Sequence, residues 1–227
     1  MSHPVIAKYL SHYFHIGYNI PIMNKHSFDR AFEVVKSGYD RLADKYGSIR
    51  GKFENWNEIE AFTAHLPKNG RVLDAGSGTG VPVAEHLDRN GFNVVGIDIS
   101  DGMIATARKN VPSGELLKMN MVNLDLPPES FDGVISCYAI IHIPKEKHAG
   151  IFRSFHRVLK PGGTMLVSVA CWEWEEYADY LGVDMFWSHF DPEKSKSLIT
   201  NAGFEIEFGR DVRSAGEIHY WVLAHKR

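Results

Sequence analysis

The spacing of hydrophobic positions divides most of the chain into alternating strands and helices. After residue 70, short runs rich in Val, Ile and Leu alternate with segments whose apolar residues recur every three or four positions. Alternation of this kind predicts a parallel sheet covered by helices on both faces. The predicted strands span residues 71–75, 93–98, 115–119, 132–138 and 164–170.

The two ends of the chain follow different patterns. Residues 1–37 show no clear period, and we expect a helical arm or lid there. Alternation over residues 204–208, followed by a second apolar run over 219–224, predicts an antiparallel pair that closes the sheet. A helix should lead into the core, with an apolar face formed by Phe53, Trp56, Ile59, Phe62 and Leu66.

Composition narrows the classes of function. A chain of 227 residues suffices for one α/β domain, and a net charge of -3 gives no basic field for nucleic acid. No apolar run approaches membrane-spanning length, and Cys137 and Cys171 lack metal or disulfide spacing. We therefore expect a cytoplasmic protein, a monomer or homodimer, that binds no membrane. No metal site is expected either, since the early histidines, which are His3, His12, His15 and His26, have no paired carboxylate or cysteine spacing.

A glycine-rich loop follows the first predicted strand. Gly76, Gly78 and Gly80 alternate there, and glycine lets the backbone turn sharply and approach a ligand closely. The second strand ends at Asp98, 18 residues after Gly80, where a carboxylate can accept both hydroxyls of a ribose. Loop and acid together predict a site for a nucleoside-bearing cofactor.

The glycine spacing separates two cofactor classes. A dinucleotide loop of the form GxGxxG requires glycine at position 81, where this chain has Val81. A β-branched side chain also narrows the approach of a pyrophosphate to the start of the helix. An NAD-dependent oxidoreductase remains as an alternative that this spacing disfavours.

Four segments resemble successive motifs of the class I S-adenosylmethionine-dependent methyltransferases. They are LDAGSGTG at 73–80, GID at 96–98, SFDGVIS at 130–136 and LKPGG at 159–163. The resemblance implies an α/β, Rossmann-like, doubly wound, mostly parallel seven-stranded sheet with an antiparallel C-terminal hairpin. It also implies S-adenosylmethionine as cofactor, S-adenosylhomocysteine as product, and methyl transfer to O, N or C of a small-molecule metabolite. A non-catalytic S-adenosylmethionine-binding protein is the second alternative.

The resemblance also assigns positions around the cofactor. Asp74 would lie near its amino group, Asp98 would hold the ribose, and Asn120 would meet the adenine where the family often has Asp. Aromatic side chains before the core would cover the cofactor, although plain packing explains them equally well. The implied contacts are Tyr39, Tyr46, Asp74, Gly76, Ser77, Gly78, Gly80, Asp98, Ile99, Met103, Asn120, Met121 and Cys137.

Candidates for the chemistry lie after the fourth strand. Methyl transfer mainly requires alignment and exclusion of water, so a base is optional. His142 and Tyr138 are the candidate catalytic residues; a histidine suits a base near neutral pH, but a packed structural histidine is the alternative.

An aromatic and acidic segment follows the fifth strand. It resembles the substrate cover of the family and suits a cationic or amine acceptor; the alternative is a helix with its aromatics buried and its acids solvated. We therefore expect an arm at 1–37 and a methyltransferase domain at 38–227 with a substrate-cover insertion at about 171–190. The candidate substrate contacts are Trp172, Trp174, Trp187 and His189.

Overall fold

The chain folds around a seven-stranded sheet, and the computed structural model describes residues 25–50, 55–214 and 216–227. The strands are β1 Arg71–Ala75, β2 Asn93–Asp98, β3 Glu115–Lys118, β4 Phe131–Ser136, β5 Leu159–Val169, β6 Trp174–Tyr180, β7 Val183–His189, β8 Phe204–Ser214 and β9 Glu217–Lys226. The sheet order is β3-β2-β1-β4-β5-β9-β8. Pairs among the first five strands are parallel, whereas β9 runs antiparallel to both β5 and β8.

Helices cover both faces of this sheet and begin where the sequence provides caps. Ser100 accepts a hydrogen bond from the backbone of Met103, and Asp191 accepts one from Lys194, so each caps the helix that follows. Among the described residues, no helix is both long and apolar enough to cross a bilayer. The helices are α1 Lys25–Arg50, α2 Trp56–Thr63, α3 Val83–Arg89, α4 Asp101–Asn110, α5 His148–Val158 and α6 Pro192–Asn201.

The core consists of two apolar layers, one on each face of the sheet. On one face, Leu73 of β1 packs with Phe152 of α5 and Ile199 of α6. On the other, Val72 packs with residues of the helices before and after β1, such as Phe62 and Leu87. Strands buried on both faces require continuous apolar runs, which is the pattern that the sequence shows.

Several predicted boundaries were wrong by a few residues. β4 ends at Ser136, because the backbone leaves the extended region at Tyr138, whose φ is +59°. β5 begins at Leu159, five residues before the predicted start, since residue 159 already pairs with Phe131. The C-terminal pair is longer than predicted at both strands. Phe53, the first residue of the predicted apolar face, lies outside the described residues.

The segment after β5 is a β-hairpin, not the helix considered as an alternative. β6 and β7 pair antiparallel, and the two residues between them, Leu181 and Gly182, both have positive φ. Such two-residue turns match the twist of antiparallel strands. This hairpin packs against α1, within which the expected boundary between residues 37 and 38 falls.

Candidate active site

A cleft of about 950 Å³, including solvent at its mouth, opens at the carboxyl ends of β1, β2 and β4. Ligands of open α/β sheets bind at this edge, where the strand order reverses between β1 and β4. The structure thus brings together eleven of the thirteen implied cofactor contacts. Those lining the cleft are Tyr39, Tyr46, Asp74, Gly76, Ser77, Gly78, Asp98, Ile99, Asn120, Met121 and Cys137.

Asp98 organises the glycine loop at the tip of β2. Its two carboxylate oxygens accept hydrogen bonds from the backbone N–H of Gly78 at 3.0 Å and of Ser100 at 2.9 Å. Burial raises the pKa of Asp98 to about 6, against the lowering effect of these hydrogen bonds. Asp98 therefore fixes the loop while its carboxylate faces the cleft.

Asp74 is a buried carboxylate at the floor of the cleft. Its residue is 2% exposed, and no described residue donates a hydrogen bond to it. Burial, together with the charge of nearby Asp98, raises the pKa of Asp74 to about 7. A buried acid of this kind is stabilised by a cationic partner, which a ligand of the cleft would supply.

Gly80 and Met103 do not line the cleft, unlike the other implied cofactor contacts. Gly80 faces α4, where an added Cβ would lie 2.8 Å from Val111. Met103 is 1% exposed and packs against Tyr46 and Ala43 of α1. Both residues therefore support the cleft without lining it. Gly80 lets the loop pack closely on α4, and Met103 of α4 packs against α1.

Asn120 presents an amide to the cleft between β3 and the short helical turn that follows. Its Oδ1 accepts a hydrogen bond from the backbone N–H of Val122 at 3.0 Å. That contact leaves the Nδ2 group of Asn120 as a donor at this end of the cleft.

Helix α1 covers the cleft and is fixed to the start of α4. The Oδ1 of Asp40 accepts hydrogen bonds from the hydroxyl of Ser100 at 2.6 Å and from the backbone N–H of Gly102 at 3.0 Å. Burial alone would raise the pKa of Asp40, but hydrogen bonds from Gly102, Lys36 and Ser100 lower it to about 2. The ionised carboxylate at a helix N-terminus stabilises this docking of α1.

His142 connects the sheet edge to both covering elements. The carbonyl of Phe186 in β7 lies 2.9 Å from Nδ1, and the hydroxyl of Tyr39 in α1 lies 2.8 Å from Nε2. A carbonyl only accepts, so Nδ1 carries the proton, and Nε2 of the neutral ring accepts from Tyr39. Both His142 and Tyr39 line the cleft.

Tyr138 also lines the cleft, but its polar groups are engaged elsewhere. Its hydroxyl donates to Oδ1 of Asn55 at 2.5 Å, and its backbone N–H donates to the hydroxyl of Ser168. The geometry therefore favours His142 over Tyr138 as the group that exchanges a proton with a ligand.

The candidate substrate contacts form a layer behind the cleft. In the described part of the chain, none of these four residues lines the cleft. The ring centroids of Trp187 and His142 lie 4.3 Å apart, and Trp174 stacks on Trp187 with their centroids 6.0 Å apart. His189 donates from Nδ1 to the carbonyl of Trp172, and burial lowers its pKa to about 4. Trp172 is 44% exposed.

Sequence reasoning missed the apolar wall contributed by α1. Val35 and Phe32 line the cleft one and two helical turns before Tyr39. The sequence predicted a helical arm or lid over residues 1–37, but it did not single out Phe32 and Val35 as residues that line the cleft. The early histidines His3, His12 and His15 lie outside the described residues, as does the side chain of His26.

Comparison with known proteins agrees with this architecture. The methyltransferase domain family matches residues 72–163. The chain is 33% identical to YqeM of Bacillus subtilis over 142 residues, which are 60% of this chain and 56% of YqeM. It is 26% identical to the demethylmenaquinone methyltransferase of Symbiobacterium thermophilum over 174 residues, covering 70% of this chain and 68% of that enzyme.

One solved structure of another protein aligns with nearly the whole chain. The 1,6-didemethyltoxoflavin-N1-methyltransferase of Burkholderia thailandensis superposes with a TM-score of 0.72 over 92% of this chain and 93% of its own, at 18% identity. At that identity the likeness establishes the fold. The domain match, the four ordered motifs and the sheet order together identify residues 72–163 as a domain of the class I, Rossmann-like S-adenosylmethionine-dependent methyltransferase type.

Proposed function

We propose that this protein is an enzyme that transfers a methyl group from S-adenosylmethionine to an O, N or C atom of a small-molecule metabolite. The observation that carries the proposal is the placement of Asp74 and Asp98 at adjacent strand ends of a covered cleft. S-adenosylmethionine supplies an activated methyl group on sulfur, so the protein has mainly to align the two reactants and exclude water.

The residues of the cleft fit this cofactor. Asp74 is a buried carboxylate with no hydrogen-bond donor among the described residues, and the cofactor carries an ammonium group. Asp98 lines the cleft and would accept hydrogen bonds from the ribose hydroxyls, and Asn120 would offer its amide donor to the adenine. Gly76 has φ +85°, and a Cβ there would overlap the side chain of Ala139, so only glycine fits beneath the ligand.

The cover favours a small, neutral or cationic acceptor. Helix α1 and the β6–β7 hairpin close over the sheet edge, which disfavours a polymer. Among the described lining residues there is no Lys or Arg, whereas there are two acids, Asp74 and Asp98. The aromatic and acidic hairpin is compatible with an amine, but its acids contact protein groups, as in the 2.6 Å pair of Glu173 with Lys145.

We expect cofactor affinity to fall as the pH is lowered, because only ionised Asp74 attracts the ammonium group. Because burial raises the pKa of Asp74 to about 7, lowering the pH from 7.5 to 6 should raise the Kd for S-adenosylmethionine roughly tenfold. Calorimetry at the two pH values measures this. The Asp74→Asn variant should bind weakly and lose most of the pH dependence. A wild-type Kd that stays constant across this range would contradict the role of Asp74.

The pair of Tyr39 and His142 gives the cleft a route for a proton. A substrate O–H or N–H that donates to the Tyr39 oxygen would lose its proton as Tyr39 passes its own to Nε2 of His142. The imidazolium that forms keeps its Nδ1–H bond to the carbonyl of Phe186. An acceptor that enters the cleft protonated would use this route.

Removing His142 should slow turnover and leave cofactor binding intact. For an acceptor that must lose a proton, we expect His142→Gln and Tyr39→Phe each to lower kcat by about 10²–10⁴-fold. Tyr46→Phe, which keeps the ring of another cleft tyrosine, is the matched control and should retain activity. Transfer of labelled methyl groups into a metabolite extract provides the assay. Equal turnover by wild type and His142→Gln would exclude the proton route.

The same extract assay separates the proposed function from its rivals. Appearance of a labelled product requires a methyltransferase. Saturable binding of S-adenosylmethionine without any product would favour a non-catalytic binding protein. Saturable binding of NADH in place of S-adenosylmethionine would favour the oxidoreductase, which the valine at position 81 disfavours.

A further inference from the structure

Two histidines and a glutamate converge at the edge of the sheet remote from the cleft. Nε2 of His65 lies 3.0 Å from Oε2 of Glu207, and Nε2 of His225 lies 2.7 Å from the same oxygen. The three ligand atoms all lie within 4.8 Å of one another. Their side chains are 39%, 42% and 27% exposed, for His65, Glu207 and His225 respectively, so the cluster is open to solvent on one side.

The backbone aims Glu207 at the histidines. On β8, Ile206 pairs with Ala224 and Phe208 pairs with Leu223, so Glu207 is the extra residue of a β-bulge. A β-bulge turns a side chain in a new direction and leaves one residue without a partner in the strand pairing. The neighbouring acid Glu205 is engaged by Arg227 at 3.2 Å, so Glu207 is the carboxylate left to face the two imidazoles.

His225 is oriented by a contact behind it. Its Nδ1 lies 3.2 Å from the hydroxyl of Thr164, which is 1% exposed on the adjacent strand β5. A hydrogen bond of this kind holds the ring so that Nε2 points at Glu207. Histidines that bind metals are commonly oriented in the same way, by an oxygen on their other ring nitrogen.

We propose that His65, Glu207 and His225 form a site for a divalent transition metal of the zinc class. Two imidazoles and a carboxylate are a ligand set that zinc binds, with water in the fourth position. In a tetrahedral site with bonds of about 2.0–2.1 Å, neighbouring ligand atoms lie roughly 3.3 Å apart. The two Glu207–histidine contacts are within a few tenths of an ångström to about 0.6 Å of that spacing, whereas the two histidine nitrogens, within 4.8 Å of each other, would have to approach by up to about 1.5 Å when the metal binds.

The site is separate from the cleft for methyl transfer. His65 lies in the turn after α2, before β1 begins at Arg71, whereas the cleft is at the opposite ends of the strands. A metal here would join that turn to the β8–β9 hairpin, which lies far later in the sequence. Since a ligand that binds only the folded state stabilises it, zinc should raise the thermal stability of the protein.

Zinc titration of the full chain, compared between matched variants, tests this site. Histidines outside the described residues can bind zinc too, so the quantity to compare is the number of tight equivalents and the zinc-dependent rise in Tm. His65→Gln, Glu207→Gln and His225→Gln should each lose one equivalent and the rise in Tm. Thr164→Val should keep the equivalent with a Kd about 10–100-fold weaker.

His86→Gln is the control, because His86 is a histidine of α3 outside the cluster. It should keep both the equivalent and the Tm response. Cobalt provides a second readout, since a tetrahedral cobalt site absorbs visible light and Glu207→Gln should lose that absorption. If wild type and Glu207→Gln bind the same number of equivalents and show the same Tm response, the cluster is only an ion pair and the proposal is wrong.

Discussion

Gly76→Ala should abolish binding of S-adenosylhomocysteine and destabilise the fold. The φ of +85° places Gly76 in the left-handed region, where a residue with a Cβ costs about 1–2 kcal/mol. The new methyl group would also overlap the side chain of Ala139, and overpacking of this kind costs roughly 1–3 kcal/mol. Relief of the overlap must move the loop or the segment after β4, and both form the cleft.

Gly162→Ala separates the backbone cost from the loss of the site. Gly162 also has positive φ, +73°, but an added Cβ there meets nothing within 4 Å. The Gly162→Ala variant should be less stable only by the backbone cost, and it should bind S-adenosylhomocysteine as wild type does. Circular dichroism and calorimetry on both variants measure folding and affinity. A folded Gly76→Ala protein with wild-type affinity would show that the loop does not contact the cofactor.

Asp98→Ala should weaken binding of S-adenosylhomocysteine by about 1.5–3 kcal/mol, the scale of hydrogen bonds to a charged group. That loss corresponds to a Kd raised roughly tenfold to 150-fold. Two effects contribute, because Asp98 faces the ribose position and also accepts the backbone hydrogen bonds of Gly78 and Ser100. Calorimetric titration of the variant gives the Kd directly.

Two further variants locate the effect. Asp98→Asn keeps one acceptor oxygen, and its Kd should lie between those of wild type and Asp98→Ala. Asp125→Ala removes an exposed aspartate that is not among the residues lining the cleft, and it should bind as wild type does. An Asp98→Ala Kd indistinguishable from wild type would refute the assignment of the ribose to Asp98.

The sheet and the cofactor side of the cleft could be predicted from local sequence. Buried parallel strands require apolar runs, and a close backbone approach requires glycine, so β1, β2 and the loop at Gly76 were recognisable from short segments. Gly80 and Met103, the two implied contacts that do not line the cleft, differ from the others for one reason. A motif identifies which residues accompany a ligand, but side-chain direction decides which of them contact it and which pack behind.

Features that depend on long-range contacts could not be predicted in this way. The aromatic residues of β6 and β7 fit a helix or a hairpin, and the turn at Leu181 and Gly182 decided between them. Nothing local to Tyr39 indicated its hydrogen bond to His142, which lies 103 residues later. The same holds for His65, which the fold brings to Glu207 and His225 of the β8–β9 hairpin.

A crystal structure of the protein with S-adenosylhomocysteine tests the central claim most directly. We predict that the ribose hydroxyls lie within hydrogen-bonding distance of the Asp98 carboxylate, with the ammonium group at Asp74 and the adenine beside Asn120. Helix α1 should cover the ligand through Tyr39 and Tyr46. A ligand bound elsewhere, or a cleft closed by side chains at saturating ligand, would contradict the account.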